Sequence, residues 1–367
     1  MSHTSSARPH IYGADKKPDD KISEGIYDFR SDTLTKPTDE MFEAMRNASR
    51  GDDVYGEDKT TNDFEQHIAK LCGHEAALLC LSCTLANQLA LRAHLHQPPH
   101  SVLCDRRSHV FNYEAGGMSS HSQAIALPVQ PSGNFLTAKE VEENLILGDD
   151  FHVAPTRVVC LENTLNGMVH PFEGLEEISK VVHKHGIRLH LDGARLWNAS
   201  TATSIPLSQY CKLFDSVSLC FSKGLGAPFG AVLVGNQEFI KKARHLRKVF
   251  GGAWRQSGLV AGAAWYCLNN MLPKLERTHQ LAAQLAHGLE KLGVQLTLPV
   301  DTNMVWIDVK DAAFSIEELQ KALLENGIKI EGWGTAARLV VHYQISEDAV
   351  QQFLAVAEQL AQEKKKL

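Results

Sequence analysis

Apolar residues recur along the chain with two alternating periods, which together predict an α/β fold. Short runs such as residues 157–162 and 216–221 have continuous apolar interiors, as strands buried on both faces do. Between such runs, stretches such as residues 62–71 and 175–185 carry apolar side chains every three or four positions, which is typical of helices with one buried face. Strands that alternate with helices of this length form parallel βαβ units, so we predict a mainly parallel sheet covered by helices.

The pattern changes towards the C-terminus. A long helical stretch over residues 256–292 leads into short strands and two helices, which are typical of a compact α+β unit. The first residues are rich in Ser, Pro and charge and have no apolar periodicity. We therefore expect a flexible tail over residues 1–27, a large domain over residues 28–280 and a small domain over residues 281–367.

Composition narrows the functional class. The 367 residues are 44% hydrophobic and 22% charged, with a net charge of −6, so neither a nucleic-acid partner nor a membrane-surface role is expected. The N-terminus lacks the apolar segment of a secretory signal, and no apolar run is long enough for a membrane helix. Eight dilute cysteines favour a reducing, cytoplasmic setting. The pair Cys80 and Cys83 has no second pair or histidines at zinc-site spacing, so we predict no metal site.

Charged side chains follow two of the predicted strands, at the edge where parallel sheets bind ligands. Asp192 ends one strand and is followed by Arg195, and Lys223 follows a later strand. Taken singly, Lys223 is also compatible with an ordinary loop lysine. Pyridoxal 5′-phosphate (PLP) needs this set, because a lysine binds its aldehyde, a carboxylate keeps its ring nitrogen protonated and a further cation holds its phenolic oxygen. Burial and neighbouring cations are expected to lower the pKa of Lys223.

A phosphate site is predicted where an apolar strand meets a helix. Residues 82–88 (SCTLANQ) begin that helix, and a helix N-terminus presents free N–H groups to an anion. Taken alone, this segment is better explained as an ordinary Ser or Thr helix cap.

An ordered series of motifs resembles the threonine aldolase family of PLP enzymes, whose fold is that of the aspartate aminotransferases (fold type I). The resemblance runs from Asp28 to about Tyr343. The motifs that carry it are residues 29–38, 52–58, 82–88, 109–117, 162–167, 191–199, 222–223 and 254–258, together with Arg338.

The resemblance implies a role for each matching residue. Lys223 would bind the cofactor as a Schiff base, Asp192 would pair with its ring nitrogen, and His109 would stack on the ring. Arg195 would lie near the phenolic oxygen and the substrate carboxylate. Ser82, Cys83, Thr84 and Ser222 would lie at the phosphate, with Lys248 and Arg255 lent by a neighbouring subunit. Ser31 and Arg338 would clamp the substrate carboxylate, and Tyr55 would enter the site across a subunit interface. A homodimer or homotetramer is implied.

The implied reaction is cleavage of L-threonine or L-allo-threonine to glycine and acetaldehyde. Two departures leave a second reaction open. Leu165 and Asn166 stand where family members place a histidine that contacts the β-hydroxyl, and Cys83 stands where glycine is common. Some fungal members resembling this family are alanine racemases, which need no such histidine, so amino-acid racemisation is the alternative.

Two other functional classes fit the sequence less well. A nicotinamide oxidoreductase would use glycines such as Gly224 and Gly226, but the third glycine and the downstream acidic residue of that fingerprint are missing. A non-enzymatic scaffold would leave the strand-end charges without a purpose. An absorption band from an amine-bound PLP would separate both from the aldolase.

Overall fold

The computed structural model describes residues 26–148 and 150–365, without the side chain of Lys365. The predicted tail over residues 1–27 therefore lies outside the described residues, apart from its last two. The chain divides into two compact units. The larger comprises the described residues of Thr35–Gln280 and Asp301–Asn303, and the smaller comprises residues 26–34, Leu281–Val300 and residues 304–365.

The strands, in chain order, are β1 (Tyr27–Asp28), β2 (Ala76–Cys80), β3 (Ser101–Asp105), β4 (Ile125–Val129), β5 (Thr156–Glu162), β6 (Arg188–Gly193), β7 (Ser216–Cys220), β8 (Ala231–Gly235), β9 (Gln295–Leu296), β10 (Met304–Asp308), β11 (Ile328–Lys329), β12 (Gly332–Trp333) and β13 (Ala336–Val340).

The α-helices are α1 (Asp39–Asn47), α2 (Lys59–Cys72), α3 (Cys83–His94), α4 (His109–Asn112), α5 (Gly117–Ser122), α6 (Ala138–Asn144), α7 (Phe172–Lys184), α8 (Leu196–Thr203), α9 (Leu207–Cys211), α10 (Gln237–Val249), α11 (Gly258–Asn270), α12 (Leu275–Lys291), α13 (Ile316–Glu325) and α14 (Glu347–Lys365).

The large unit is built on a seven-stranded sheet in the order β2-β8-β7-β6-β5-β3-β4. Every neighbouring pair is parallel except the two that involve β8, which runs antiparallel to β2 and to β7. Both faces are buried. In β2, for example, Leu78 and Cys80 join a core cluster with α3 and α10, and Ala77 and Leu79 on the opposite face are buried as well. The predicted fold class is thus confirmed.

The small unit has its own apolar core and two sheets. Strands β12, β13, β10 and β9 form an antiparallel sheet, and α12, α13 and α14 contribute to the core beside it. Strand β1 pairs in parallel with β11, and Val340 donates its N–H to Phe29 O. These pairings place residues 28–34 in the small unit, although the sequence pattern assigned them to the large domain.

Two local features differ from the sequence prediction. Strand β4 was not predicted, because Pro128 interrupts its pattern; β4 is an edge strand, where a missing N–H leaves no gap in the sheet. The long helix over residues 256–292 is divided into α11 and α12 by a 3₁₀ turn at Leu272–Lys274, which contains Pro273. Within the described part of the chain, no helix has both the length and the hydropathy of a membrane span.

Candidate active site

Four parallel strands, β3, β5, β6 and β7, lie side by side, and their carboxyl ends gather the polar residues of the candidate site. His109 follows β3, Glu162 ends β5, Asp192 is the second-last residue of β6 and Lys223 follows β7. His109, Glu114 and Asp192 each place a side-chain ligand atom within 4.8 Å of the others. The edge of the sheet thus brings together three residues that are far apart in sequence and were predicted to act together: His109, Asp192 and Lys223.

Asp192 is buried and held by neutral donors. Asn87 of α3 donates Nδ2–H to its Oδ2 at 2.8 Å, and the N–H of Ala194 reaches its Oδ1 at 3.0 Å. The glycine that follows Asp192 is required by close packing, because a Cβ on Gly193 would lie 2.6 Å from the carbonyl oxygen of Ser218 on β7. Asp192 therefore keeps a fixed orientation at the strand end without a cationic partner in these hydrogen bonds.

Polar side chains on one face of β6 and β7 form hydrogen bonds that hold Asn87 in place. Residues two apart on a strand share a face, so His190 and Asp192 point the same way, as do their neighbours Ser216 and Ser218. Asn87 Oδ1 lies 2.6 Å from Ser218 Oγ and 3.1 Å from His190 Nε2, and both must donate because this oxygen only accepts. His190 therefore carries its proton on Nε2, and its Nδ1 accepts from Ser216.

His109 is fixed at both its backbone and its ring. Its N–H donates to Glu162 Oε2 at 2.8 Å, and its Nδ1 lies 3.0 Å from Glu114 Oε1. Burial lowers the pKa of His109, but the hydrogen bond to Glu114 and the charges of Asp192 and Glu162 outweigh it, so the pKa lies above its ordinary value. Burial, with Asp192 nearby, raises the pKa of Glu162 to about 7. Both His109 and Glu162 at this edge thus have pKa values above their ordinary ones.

Lys223 lies in the loop between β7 and β8, where Gly226 donates its N–H to Lys223 O. Burial and the charge of Arg195 lower the pKa of this amine, whereas Cys220, Cys83 and Asp192 raise it, and the net pKa is above its usual value. The lowered pKa predicted from the sequence was therefore wrong for the chain alone, because the anionic groups around the amine outweigh the loss of solvation.

Cys83, at the first position of α3, points into the core beneath the site. Its Sγ lies 3.8 Å from Asp192 Oδ1 and 3.5 Å from Ser218 Oγ. A hydrogen bond with Cys220, together with burial, raises the pKa of Cys83 well above its usual range. The same hydrogen bond and the nearby Lys223 lower the pKa of Cys220 to about 6. The side chain that replaces a common glycine is therefore accommodated inward, beside the carboxylate of Asp192.

The remaining predicted phosphate residues lie at loop and helix ends of the same unit. Ser82 caps α3, with its Oγ accepting the N–H of Leu85 at 3.1 Å, and Thr84 is half-buried in the first turn. The Ser222 hydroxyl lies 3.5 Å from Cys220 Sγ. Ser82 can cap the helix and also contact a phosphate, since a hydroxyl that accepts one hydrogen bond can still donate one.

Three predicted residues lie on the surface of the chain. Tyr55 is 75% exposed, and Lys248 and Arg255 are exposed as well. Arg255 pairs with Asp52 at 3.1 Å, and Asp52 also caps the turn that carries Tyr55. Among the described residues, none of the three forms a hydrogen bond or ion pair with Lys223 or Asp192, so their predicted roles depend on a second copy of the chain.

Ser31 and Arg338 belong to the small unit and lie close to one another. Arg338 Nη2 donates to the carbonyl oxygen of Arg30, the residue before Ser31, at 3.1 Å. The guanidinium also lies over the ring of Trp306, 5.8 Å from its centroid. Ser31 is buried, and its Oγ accepts from the hydroxyl of Thr33 at 2.8 Å. The two residues that were predicted to bind the substrate carboxylate thus lie in the same unit.

The segment after β5 forms a tight turn. Leu165 and Met168 are bridged by two backbone hydrogen bonds, and Asn166 and Gly167 between them both have positive φ. Asn-Gly is the pair that such a turn favours. Leu165 is buried, and the buried Asn163 Nδ2 has no hydrogen-bond partner among the described residues. Neither position where family members carry a histidine therefore offers a titratable side chain.

From the sequence, no role was assigned to the residues that surround and orient Asp192 and His109. They are Asn87, Glu114, His190, Ser218 and Cys220. Glu114 and Asn87 lie inside motifs that were recognised, but no role was assigned to them. The alternation of His190 with Asp192 and of Ser216 with Ser218, inside otherwise apolar strands, is a signal that could have revealed a polar layer on one face.

Comparisons with family models, curated proteins and solved structures agree on the family of this chain. The model of the beta-eliminating lyase family matches residues 28–312. The low-specificity L-threonine aldolase of Eremothecium gossypii is 48% identical over 88% of this chain and 85% of its own, and the alanine racemase TOXG of Cochliobolus carbonum is 37% identical over 90% and 86%. The crystal structure of a putative L-allo-threonine aldolase from Listeria monocytogenes superposes with a TM-score of 0.77 at 27% identity, covering 91% of this chain and 96% of that one.

Proposed function

Because the chain belongs to the threonine aldolases of the beta-eliminating lyase family, as its motifs predicted, we propose that it is a PLP-dependent lyase. Its proposed reaction splits the Cα–Cβ bond of L-threonine or L-allo-threonine and releases glycine and acetaldehyde. The observation that carries the proposal is the alignment of His109, Asp192 and Lys223 at the carboxyl ends of adjacent parallel strands.

The side chains at this edge fit PLP. Lys223 offers an amine, Asp192 an oriented carboxylate, and the N-terminus of α3 free N–H groups for a phosphate. Asn163 offers a buried amide donor with no partner in the described part of the chain, which a ligand oxygen would satisfy. Ser82, Thr84 and Ser222 would contact the phosphate, and Arg195 would lie near the phenolic oxygen. When bound, the cofactor supplies an electron-accepting ring that stabilises negative charge at Cα.

The protein's own groups decide which bond at Cα breaks. The carboxylate of Asp192 would keep the ring nitrogen protonated, and the imidazole of His109 would stack on the ring and move a proton. Ser31 and Arg338 would hold the substrate carboxylate and so set the orientation of the bonds at Cα. Removing the proton of the β-hydroxyl then releases the aldehyde.

Replacing Arg338 with lysine tests the clamp. Lysine keeps the charge but lacks the planar fork that binds a carboxylate with two parallel hydrogen bonds. We expect kcat/KM for L-threonine to fall by about 10–10²-fold, which corresponds to loss of a charge-assisted hydrogen bond. The fall should be mainly in KM, measured by steady-state release of acetaldehyde. An unchanged KM would mean that Arg338 does not bind the substrate.

Racemisation of alanine is the second candidate, favoured by Leu165 and Asn166 and by the similarity to an alanine racemase. Incubating the PLP-loaded protein separately with L-threonine and with L-alanine distinguishes the two. Glycine and acetaldehyde from L-threonine support the aldolase. If L-alanine gives D-alanine and L-threonine gives no glycine, the protein is a racemase and not an aldolase.

A homodimer or homotetramer is proposed because Tyr55, Lys248 and Arg255 are exposed on the single chain. Lys223→Ala and Tyr55→Phe should each be nearly inactive alone, since each site would need Lys223 from one copy and Tyr55 from the other. After the two variants are unfolded and refolded together, mixed dimers should recover up to about a quarter of the wild-type activity. If activity stays absent while sedimentation shows mixed oligomers, then Tyr55 does not act across an interface.

A cytoplasmic location is part of the proposal. All eight cysteines lie in the described part of the chain as buried free thiols, which is typical of proteins from reducing compartments. Expression of the tagged protein in its own cells followed by fractionation tests this location.

A further inference from the structure

Glu114 is a buried carboxylate that three donors share. Its side chain has no solvent exposure, and it lies in the loop between α4 and α5. Oε1 accepts from Asn87 Nδ2 at 2.9 Å and lies 3.0 Å from His109 Nδ1, and Oε2 accepts from Gln88 Nε2 at 2.5 Å. An ionised carboxylate accepts without donating, so each of these partners must supply a hydrogen.

This arrangement determines which nitrogen of His109 holds a proton. A neutral imidazole carries its proton on one nitrogen, and the partner of that nitrogen fixes the choice. Facing Glu114 Oε1, Nδ1 must be the protonated nitrogen. The other nitrogen, Nε2, has no hydrogen-bond partner among the residues that the structure describes, and the side chain retains 31% exposure.

The orientation of Asn87 is fixed independently, which strengthens the assignment. Its Oδ1 is occupied by Ser218 and His190, so both hydrogens of Nδ2 point to carboxylates, one to Glu114 and one to Asp192. Asn87 thus separates the two acidic groups while bonding both. Glu114 therefore accepts on both oxygens, and His109 Nδ1 supplies the third hydrogen.

His109 and Glu162 are the titratable groups that remain at this edge, but Glu162 Oε2 accepts the backbone N–H of His109, whereas the ring of His109 is partly exposed. Lys223 and Asp192 are engaged by the cofactor in the proposed function, and Leu165 and Asn166 do not titrate. An imidazole that keeps Nδ1–H and exchanges its proton at Nε2 is the form suited to general acid–base work.

We propose that Glu114 is a positioning residue, which keeps a proton on His109 Nδ1 and so makes Nε2 the nitrogen that exchanges a proton during the reaction. The catalytic part of this inference rests on the proposed function, whereas the assignment of the proton to Nδ1 concerns the chain alone.

The test uses two substitutions. Glu114→Gln keeps an acceptor oxygen for His109 and Asn87 and removes the charge; the Gln88 amide can turn, because its Oε1 is buried without a partner in the described residues. Glu114→Ala removes the acceptor as well. Glu143→Gln, at an exposed carboxylate of α6, is the matched control.

The first readout is the protonation of His109 in the protein without PLP or substrate. Spectra of the ¹⁵N-histidine-labelled protein, assigned with His109→Gln, should show Nδ1 protonated in the wild type and in Glu114→Gln at alkaline pH. Glu114→Ala should lose that preference. A wild type with Nε2 protonated, or a Glu114→Gln variant that loses the Nδ1 proton, would overturn the proposal whatever the substrate is.

The second readout is the pH dependence. The charged or titratable groups that face His109 are Glu114, Glu162, Asp192 and Tyr113, and the hydrogen bond to Glu114 is the largest contribution that raises its pKa. In Glu114→Gln the charge is gone, so the pKa of His109 should fall. The acidic limb of kcat/KM should then move to lower pH and its plateau should drop about 10-fold, because Nε2 is a weaker base.

The control variant and the separate values of kcat and KM distinguish a positioning role of Glu114 from a merely structural one. Glu143→Gln should leave the spectrum and the pH profile unchanged, and KM should change less than kcat in Glu114→Gln. A shifted limb without a change at His109 in the spectra would contradict the proposal while leaving the aldolase reaction in place. Absence of threonine cleavage in the wild type would instead count against the proposed function.

Discussion

Replacing Lys223 with alanine is expected to remove the absorption band of bound PLP at about 420 nm and to lower threonine cleavage by at least about 10³-fold. The amine is the side chain that would bind the cofactor covalently, and alanine can neither form nor exchange that bond. The change should leave the fold intact, because Lys223 lies in a loop and is not part of the core clusters.

The matched control is Lys212→Ala, at an exposed lysine after α9. It should retain both the band and the activity. A Lys223→Ala protein that keeps the band after dialysis, or that cleaves L-threonine at the wild-type rate, would show that another amine binds the cofactor.

Replacing Asp192 with asparagine should lower kcat/KM by about 10²–10³-fold, the range seen when one preorganised electrostatic group is removed from a site. Asparagine has nearly the same shape, but it lacks the negative charge that is proposed to keep the ring nitrogen of PLP protonated. Without that charge the ring would accept electrons poorly, so the loss should appear mainly in kcat, measured at saturating cofactor.

Stability must be measured beside activity for this variant. Asp192 accepts hydrogen bonds from Asn87 and Ala194, and an amide group turned towards one of these donors leaves a polar atom unpaired, at a cost of about 1–3 kcal/mol. Asp63→Asn, in an exposed pair with Lys59, is the control and should change neither activity nor stability appreciably. If Asp192→Asn retained wild-type kcat, the pairing of Asp192 with the cofactor would be wrong.

The fold could be predicted because its sheet is buried on both faces. Strands β5, β6 and β7 have apolar interiors and are separated by helical periods, so a parallel sheet follows from the pattern alone. Strand β4 could not be predicted, since the tolerance of Pro128 depends on its being at an edge, which is a property of strand order. The pairing of β1 with β11 joins residues about 300 positions apart, and no local pattern encodes it.

The candidate site was predictable where one rule applied: parallel strands deliver their carboxyl ends to one edge. That rule brings Asp192 and Lys223 together. It gives no information on Asn87 and Glu114, because their positions depend on how α3 and the loop after α4 pack against the sheet. The pKa of Lys223 was mispredicted for a related reason, since the side chains of Cys83 and Cys220 that surround it are contributed by different elements.

The central claim is that the Lys223 amine binds pyridoxal phosphate covalently. The most direct measurement is to load the protein with PLP, reduce it with borohydride so that the cofactor is fixed irreversibly, and map the modified peptide by mass spectrometry. The account predicts one phosphopyridoxyl group per chain, on Lys223. A group attached to any other lysine, or a protein that remains unmodified, would contradict it.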